Sequence, residues 1–306
     1  MAAVQDAEYR NTEAEFREIC DFLDAMSLED PFIHWDSGTM RYWRHELHCD
    51  KDPQDPFFRE NAHVWRREGA GIVGLCISED GRNDVFVEVL PAHREIYSII
   101  LGWIEGTWAV ARDTVEIDIF ADDERKLHLL QGAGYVFAKH SRNMRTYDLD
   151  RVDLDYSMEP GYSIRAFSES PDVEGRIVLV QSAFDNPAYS EKRLRGLLAS
   201  PAYEGAWDLM VLSGDGTPVS FCVGWREPTT ADAGNIEPVG THAEYRRRGL
   251  AQAVVRECFA RMRAAGIRTV RIASVAEPAV GNFLYDSLSP STKREVHRYA
   301  KTFRDS

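Results

Sequence analysis

Apolar and polar residues along this chain alternate in two periods, one of two residues and one of between three and four, and the elements follow from where one gives way to the other. In the second half, Tyr162 to Phe167 (YSIRAF) reads as a strand and Asp172 to Phe184 has helical spacing, followed by a short helix over Ser190 to Leu198. Trp207 to Leu212 and Val219 to Trp225 are β-rich runs separated by SGDGTP, a turn signal, and so predict a hairpin. A strand at Asn235 to Thr241, an amphipathic helix from Gly249 to about Ala264, a strand at Thr269 to Ser274, a helix near Ala279 to Leu288 and a strand around Glu295 to Phe303 complete this half.

The first half repeats the order with different residues. Ile72 to Ser78 and Asp84 to Leu90 are strands around SEDGRN, Ile96 to Val110 is a helix, and Thr114 to Phe120 is a strand. Glu124 to Ala133 is a short helix before a closing strand near Asn143 to Leu149. Aligning VEVLPAHREIYSIILGWIE with IEPVGTHAEYRRRGLAQAV, and TVEIDIF with TVRIASV, indicates two copies of one α+β unit. The acidic, aperiodic stretch Asp150 to Pro160 is the expected junction, giving domains 1–155 and 156–306.

Composition narrows the functions available. With 36 Lys+Arg against 50 Asp+Glu the formal charge is -14, a balance that repels nucleic acid and anionic membrane. No apolar run approaches the ~20 residues of a membrane span, and the N-terminus lacks a signal-peptide pattern, so a cytoplasmic protein is expected. The five cysteines are scattered without a CxxC pair and read as reduced, mainly buried thiols. In His45-Glu46-Leu47-His48-Cys49 the HExxH pattern is absent, and no metal is expected.

Against this acidic background Arg246-Arg247-Arg248-Gly249 stands at the mouth of a helix. A helix N-terminus presents unpaired N–H groups with the positive end of the dipole behind them, which suits phosphate and disfavours cations left to themselves. Neither GxxxxGK[ST] nor GxGxxG is present, so the loop is not one of the standard nucleotide loops. It is either an anion site or a solvated basic helix start.

Arg246 to Ala251 (RRRGLA) resembles the [Q/R]-x-x-G-x-[G/A] signature of the GNAT superfamily of acetyl-CoA-dependent N-acetyltransferases, and Asn282-Phe283-Leu284-Tyr285 matches its N-x-x-Y. The resemblance covers about residues 161 to 306 well and the first half only as a shape. It implies an α+β (α/β) fold of two GNAT-like domains, each a mixed, mostly antiparallel twisted sheet flanked by helices. It also implies that the strand holding Val239 splays from its neighbour and that the pantetheine arm inserts between them. Backbone groups of Val239 and Thr241 would bond the arm, amides and side chains of Arg246, Arg247, Arg248, Gly249, Leu250 and Ala251 would hold the pyrophosphate, and Asn282 would bond the arm. Pro238 fits a bulged strand.

By the same resemblance Tyr285 is the general acid for the leaving thiolate, and the amide of Val239 bonds the thioester carbonyl. Glu237 is the expected base, directly or through water, with His242 the alternative. Phe184, Asn186, Tyr189, Tyr203, Trp207 and Trp225 are expected around the acceptor. The run Leu288-Ser289-Pro290-Ser291-Thr292 departs from the family's Leu-Gly-Phe and puts the acceptor side in doubt.

In the first copy PAHREIYSIILGW has neither the arginine run nor a glycine at the position matching Gly249, so that copy is expected to be structural, with Trp35, Trp43 and Trp65 in its core or on an inter-domain face. The expected activity is acetyl transfer from acetyl-CoA to a primary amine of a small molecule by a monomer or homodimer. The alternatives are a non-catalytic acyl-CoA sensor and a protein N-terminal or lysine acetyltransferase.

Overall fold

The computed structural model describes residues 4–29, 33–169, 171–277 and 280–303. Its strands are β1 (Val4–Glu8), β2 (Ala62–Arg67), β3 (Gly71–Ile77), β4 (Asp84–Val89), β5 (Thr114–Phe120), β6 (Val136–Asp148), β7 (Ser163–Ala166), β8 (Tyr203–Leu212), β9 (Pro218–Arg226), β10 (Ala233–Thr241), β11 (Thr269–Val275) and β12 (Thr292–Thr302). The helices are α1 (Glu13–Glu29), α2 (Ser37–Tyr42), α3 (Pro56–Asn61), α4 (Tyr97–Gly106), α5 (Glu124–Gly132), α6 (Val173–Phe184), α7 (Glu191–Leu198), α8 (Leu250–Ala264) and α9 (Val280–Asp286). Ala279, where the sequence pattern starts the last helix, lies outside the described residues.

The chain forms two compact units, the first from residues within 1–43, 50–142 and 294–306, the second from 44–49 and 143–293. Each is a mixed sheet flanked by helices, with strand order β1-β2-β3-β4-β5-β12 in the first and β6-β11-β10-β9-β8-β7 in the second, to which β6 belongs from Asn143 onward. One neighbouring pair in each is parallel, β4 with β5 and β10 with β11, and the other paired strands for which a register is defined run antiparallel.

In the second unit the apolar run of β8 has buried residues on both faces. Leu209 and Val211 pack with α8, whose buried positions Leu250, Val254, Cys258 and Met262 follow a helical stripe. Met210 and Leu212 pack with α6 and α7 through Leu179, Leu194 and Leu197. The sheet therefore has a separate core on each face, the arrangement expected of strands without a solvated side.

Two differences from the sequence pattern have physical reasons. The closing strands are exchanged: Asn143–Lys293 belongs to the second unit, whereas β12 runs antiparallel to β5 from Val296 opposite Phe120 to Thr302 opposite Thr114. Alternation identifies a strand and its buried face, but it does not name the partner. The elements before β3 were also not anticipated, among them α1, which buries Phe16, Ile19, Cys20, Leu23 and Met26. Trp35, Trp43 and Trp65 are core, at 1%, 0% and 2% exposure.

Two glycines test these helices in opposite directions. A Cβ on exposed Gly102, inside α4, meets nothing within 4 Å, so Gly102→Ala is expected to stabilise by about 0.5–1 kcal/mol. A Cβ on Gly196 of α7 lies 2.7 Å from the carbonyl oxygen of His45, so Gly196→Ala is expected to destabilise by about 1–3 kcal/mol despite its helix propensity. Urea denaturation of the two variants reads both signs.

Candidate active site

The second unit's sheet opens where its one parallel pair stops. β10 pairs with β11 from Ala233 opposite Thr269 to Asn235 opposite Arg271 and no further, although β10 continues to Thr241 and β11 to Val275. On its other edge β10 is bulged against β9, the register shifting between Ile236 and Val239 so that Glu237 and Pro238 fall outside the ladder. The Glu237–Pro238 peptide is cis.

Beyond the bulge, the register decides which backbone groups face the gap. His242 N–H donates to Val219 C=O at 2.9 Å, and Gly240 is paired with Phe221 two positions earlier. In an antiparallel ladder hydrogen-bonded and non-bonded pairs alternate, so the groups of Val239 and Thr241 point away from β9, toward the side where β11 has diverged. These are the two residues the sequence reading singled out for backbone contacts.

The chain then turns into α8. Arg247 and Gly249 both have left-handed backbones, with φ of 66° and 75°. Glycine supports that conformation without strain, and a Cβ there would meet nothing within 4 Å, so the space before the helix end is open. The three arginines divide the work. Arg246 Nη2 donates to the carbonyl of Ala183 at 3.0 Å, and Arg248 Nη1 to Tyr162 Oη at 3.0 Å; both brace the loop. Arg247 is exposed and its guanidinium has no partner among the described residues.

At the other side of the gap α9 supplies Tyr285, 9% exposed, whose phenol is pushed above its ordinary value by burial and then by the charge of Glu237. The Glu237 charge thus adds to what burial does to the Tyr285 phenol. Glu237 is itself exposed, and its carbonyl accepts a 2.6 Å bond from Trp225 Nε1. His242, the alternative base, is engaged locally: its Nδ1 accepts from the Glu244 amide at 3.4 Å, capping a short turn.

Asn282 is not a free donor. Its Oδ1 accepts from Arg145 Nη2 (2.9 Å), Ser274 Oγ (2.8 Å) and Asn143 Nδ2 (3.1 Å), and its Nδ2 donates to the carbonyls of Val275 (3.1 Å) and Ala276 (2.9 Å). Arg145, fully buried, also bonds Asp286 at 2.6 Å. These contacts bind α9 to the end of β11 and to β6. Sequence reasoning missed Asn143 and Arg145, because it counted their strand with the first copy.

The expected acceptor residues separate. Trp207 is 2% exposed and belongs to the core packed on α8, so it is removed from that set. Tyr203 and Trp225 meet edge to face at 6.5 Å, and Tyr189 packs beside them against the α6/α7 core. Phe184 is 47% exposed. In the departing run, Ser291 ties back to β6 through N–H and Oγ bonds to the Thr146 carbonyl, both 2.8 Å.

The first unit shows the same early end of a parallel pair, β4 meeting β5 only at Asp84–Glu116 and Val85–Ile117. Here the chain itself occupies the divergence. The amides of His34 and Trp35 donate to Glu88 Oε1 at 2.8 and 2.9 Å, the His34 ring stacks on Phe120 at 4.3 Å, and Trp35 lies 5.0 Å from Phe86.

Among the described residues no group of three or more His, Cys, Asp or Glu could hold a metal ion, and no helix is long and apolar enough to cross a membrane. All five cysteines are free and four are buried.

Residues 181–283 match the family model described as the acetyltransferase (GNAT) family. The fold is similar to a tandem GNAT protein from the clavulanic acid biosynthesis pathway, at TM-score 0.71 and 14% identity over 99% of this chain and 100% of that one. It is also similar to a GCN5-related N-acetyltransferase from Sphaerobacter thermophilus, at TM-score 0.65 and 19% identity over 99% and 96%. A GNAT-family acetyltransferase from Colwellia psychrerythraea gives TM-score 0.62 and 9% identity over 98% and 100%. No curated protein sequence matches the chain.

The Arg145 network is open to direct test. Arg145→Met leaves the Asn282 oxygen and Asp286 without their buried cation and is expected to destabilise by about 3 kcal/mol in denaturant unfolding. Arg145→Lys, which keeps the charge and loses the fork, should fall between it and wild type.

Proposed function

The chain carries a GNAT acetyltransferase domain in its second half, and from that premise we propose that the protein moves an acetyl group from acetyl-CoA to a primary amine of a small molecule by direct attack of the amine. The observation that carries the reading is the gap between β10 and β11, bordered by the outward-facing backbone of Val239 and Thr241 and ending at the open, left-handed Arg247 to Gly249 turn. Extended chains are held by just such unpaired strand edges, and phosphates by just such helix entries.

The residues present fit the group. Val239 and Thr241 would take the amide-rich arm as an added strand. The amides of Arg247 to Ala251 and the Arg247 guanidinium would take the pyrophosphate, with Arg246 and Arg248 keeping the loop in shape. When bound, acetyl-CoA supplies a thioester already activated for transfer. The Val239 N–H would polarise its carbonyl oxygen. Glu237, exposed beside the bulge, accepts the proton of the incoming ammonium directly or through water, and Tyr285 delivers a proton to the departing sulfur. Asn282 acts here through position, holding α9 and therefore Tyr285 against the gap.

Acyl transfer requires the phenol protonated, and its raised pKa keeps it so throughout the neutral and mildly alkaline range. Tyr285→Phe is therefore expected to lower turnover roughly 10²–10⁴-fold at every pH in that range, while acetyl-CoA affinity stays near wild type. Steady-state rates with calorimetric titration separate the two effects. Binding with no thiol release on any amine would favour the acyl-CoA sensor instead. Gly249→Glu, which places a carboxylate in the open space, is expected to abolish acetyl-CoA binding; retained affinity would put the cofactor elsewhere.

A further inference from the structure

Residues 44–49, although early in the chain, belong to the second unit. They continue a π-helical turn, Trp43–Leu47, a rare element that is frequent at functional sites. The turn is fixed on α7: the His45 carbonyl closes on Gly196, and Arg193 Nη2 reaches the Leu47 carbonyl at 3.5 Å.

This docking buries the Glu46 carboxylate, 8% exposed, on the α6/α7 side of the sheet. Its neighbours by charge include Tyr189, whose phenol is pushed up to about 12 by burial, with Glu46 and Asp208 adding to the effect. The other carboxylate of this patch has a counter-charge. Asp208 lies 3.0 Å from Arg176 and accepts a 3.0 Å bond from Tyr203. Among the described residues none donates a hydrogen bond to the Glu46 side chain or forms an ion pair with it. A buried carboxylate without a counter-charge is costly, and burial alone raises its pKa to about 7.

The patch also leads to the gap. Tyr203 meets Trp225 edge to face, and Trp225 bonds the Glu237 carbonyl. Tyr189, Tyr203 and Trp225 are among the residues expected around the acceptor.

We propose that Glu46 holds a second cationic group of the acceptor, so that the substrate is an amine bearing an ammonium group in addition to the nitrogen that is acetylated. This deepens the acetyltransferase reading and rests on it for the identity of the patch as the acceptor side. An ammonium group supplies the missing counter-charge and donates into the carboxylate. A chain with formal charge -14 favours the approach of such a compound.

The pH dependence follows from the groups around Glu46. Tyr189 stays neutral; the Arg176–Asp208 pair and Arg193 of α7 face the same side, and Arg44, His45 and His48 lie on the same segment. With its pKa near 7, Glu46 is neutral below that value and anionic above it, so dication binding tightens as pH rises through about 7. The unoccupied carboxylate opposes folding once ionised, and Glu46→Gln is expected to melt no lower than wild type under mildly alkaline conditions.

The test is calorimetric titration of the full chain and of Glu46→Gln with 1,4-diaminobutane and with 1-aminobutane, on either side of neutrality, alongside thiol release from acetyl-CoA. Wild type should prefer the diamine roughly ten-fold on the alkaline side, less on the acid side, and Glu46→Gln should show no preference. Equal affinity for the two amines in wild type, a preference that survives in the variant, or no binding of either overturns the assignment. Selective diamine binding without thiol release would sustain Glu46 and defeat the acetyltransferase reading. Release with 1-aminobutane and no diamine preference would do the reverse.

Discussion

Everything specific to the second unit depends on a parallel ladder that ends early. β10 and β11 hold together for three residue pairs and then diverge, leaving two strand edges whose backbone groups lack the partners a sheet would give them. A sheet interior has no use for such edges, since each unpaired buried group carries a penalty. The bulge at Glu237 and Pro238 sets where the divergence begins, and the alternation beyond it turns Val239 and Thr241 toward the opening.

An opening of this kind closes or collapses unless its far side is held. The Asn282–Arg145 network does this by giving one side-chain amide five internal bonds and tying α9 to β6 and to the end of β11. A fully buried guanidinium is tolerated there because its donors reach Asp286, Ser274 and Asn282. The same arrangement presents Tyr285 at low exposure, and low exposure pushes its phenol above the ordinary value, so that it stays protonated further into the alkaline range.

The first unit illustrates the other outcome of the same geometry. Its parallel pair ends even sooner, yet His34 and Trp35 lie against both strands and spend their amides on Glu88, the residue that aligns with Glu237 in the repeat. One copy fills the divergence with its own chain, and the other leaves it open next to a glycine turn.

Much of the second unit was legible in the sequence. Helix α8, the hairpin of β8 and β9 and the RRRGLA turn follow from hydrophobic period, turn residues and a short motif, all of which are local. Local signals also marked Tyr285 and Glu237. Which arginine stays free, that Asn282 is already saturated, and that Trp207 is core were decided by packing, because each depends on residues far away in sequence. The exchange of β6 and β12 and the docking of Glu46 belong to the same class: a two-residue period tells a strand which face to bury, whereas only the assembled sheet determines the strand beside it.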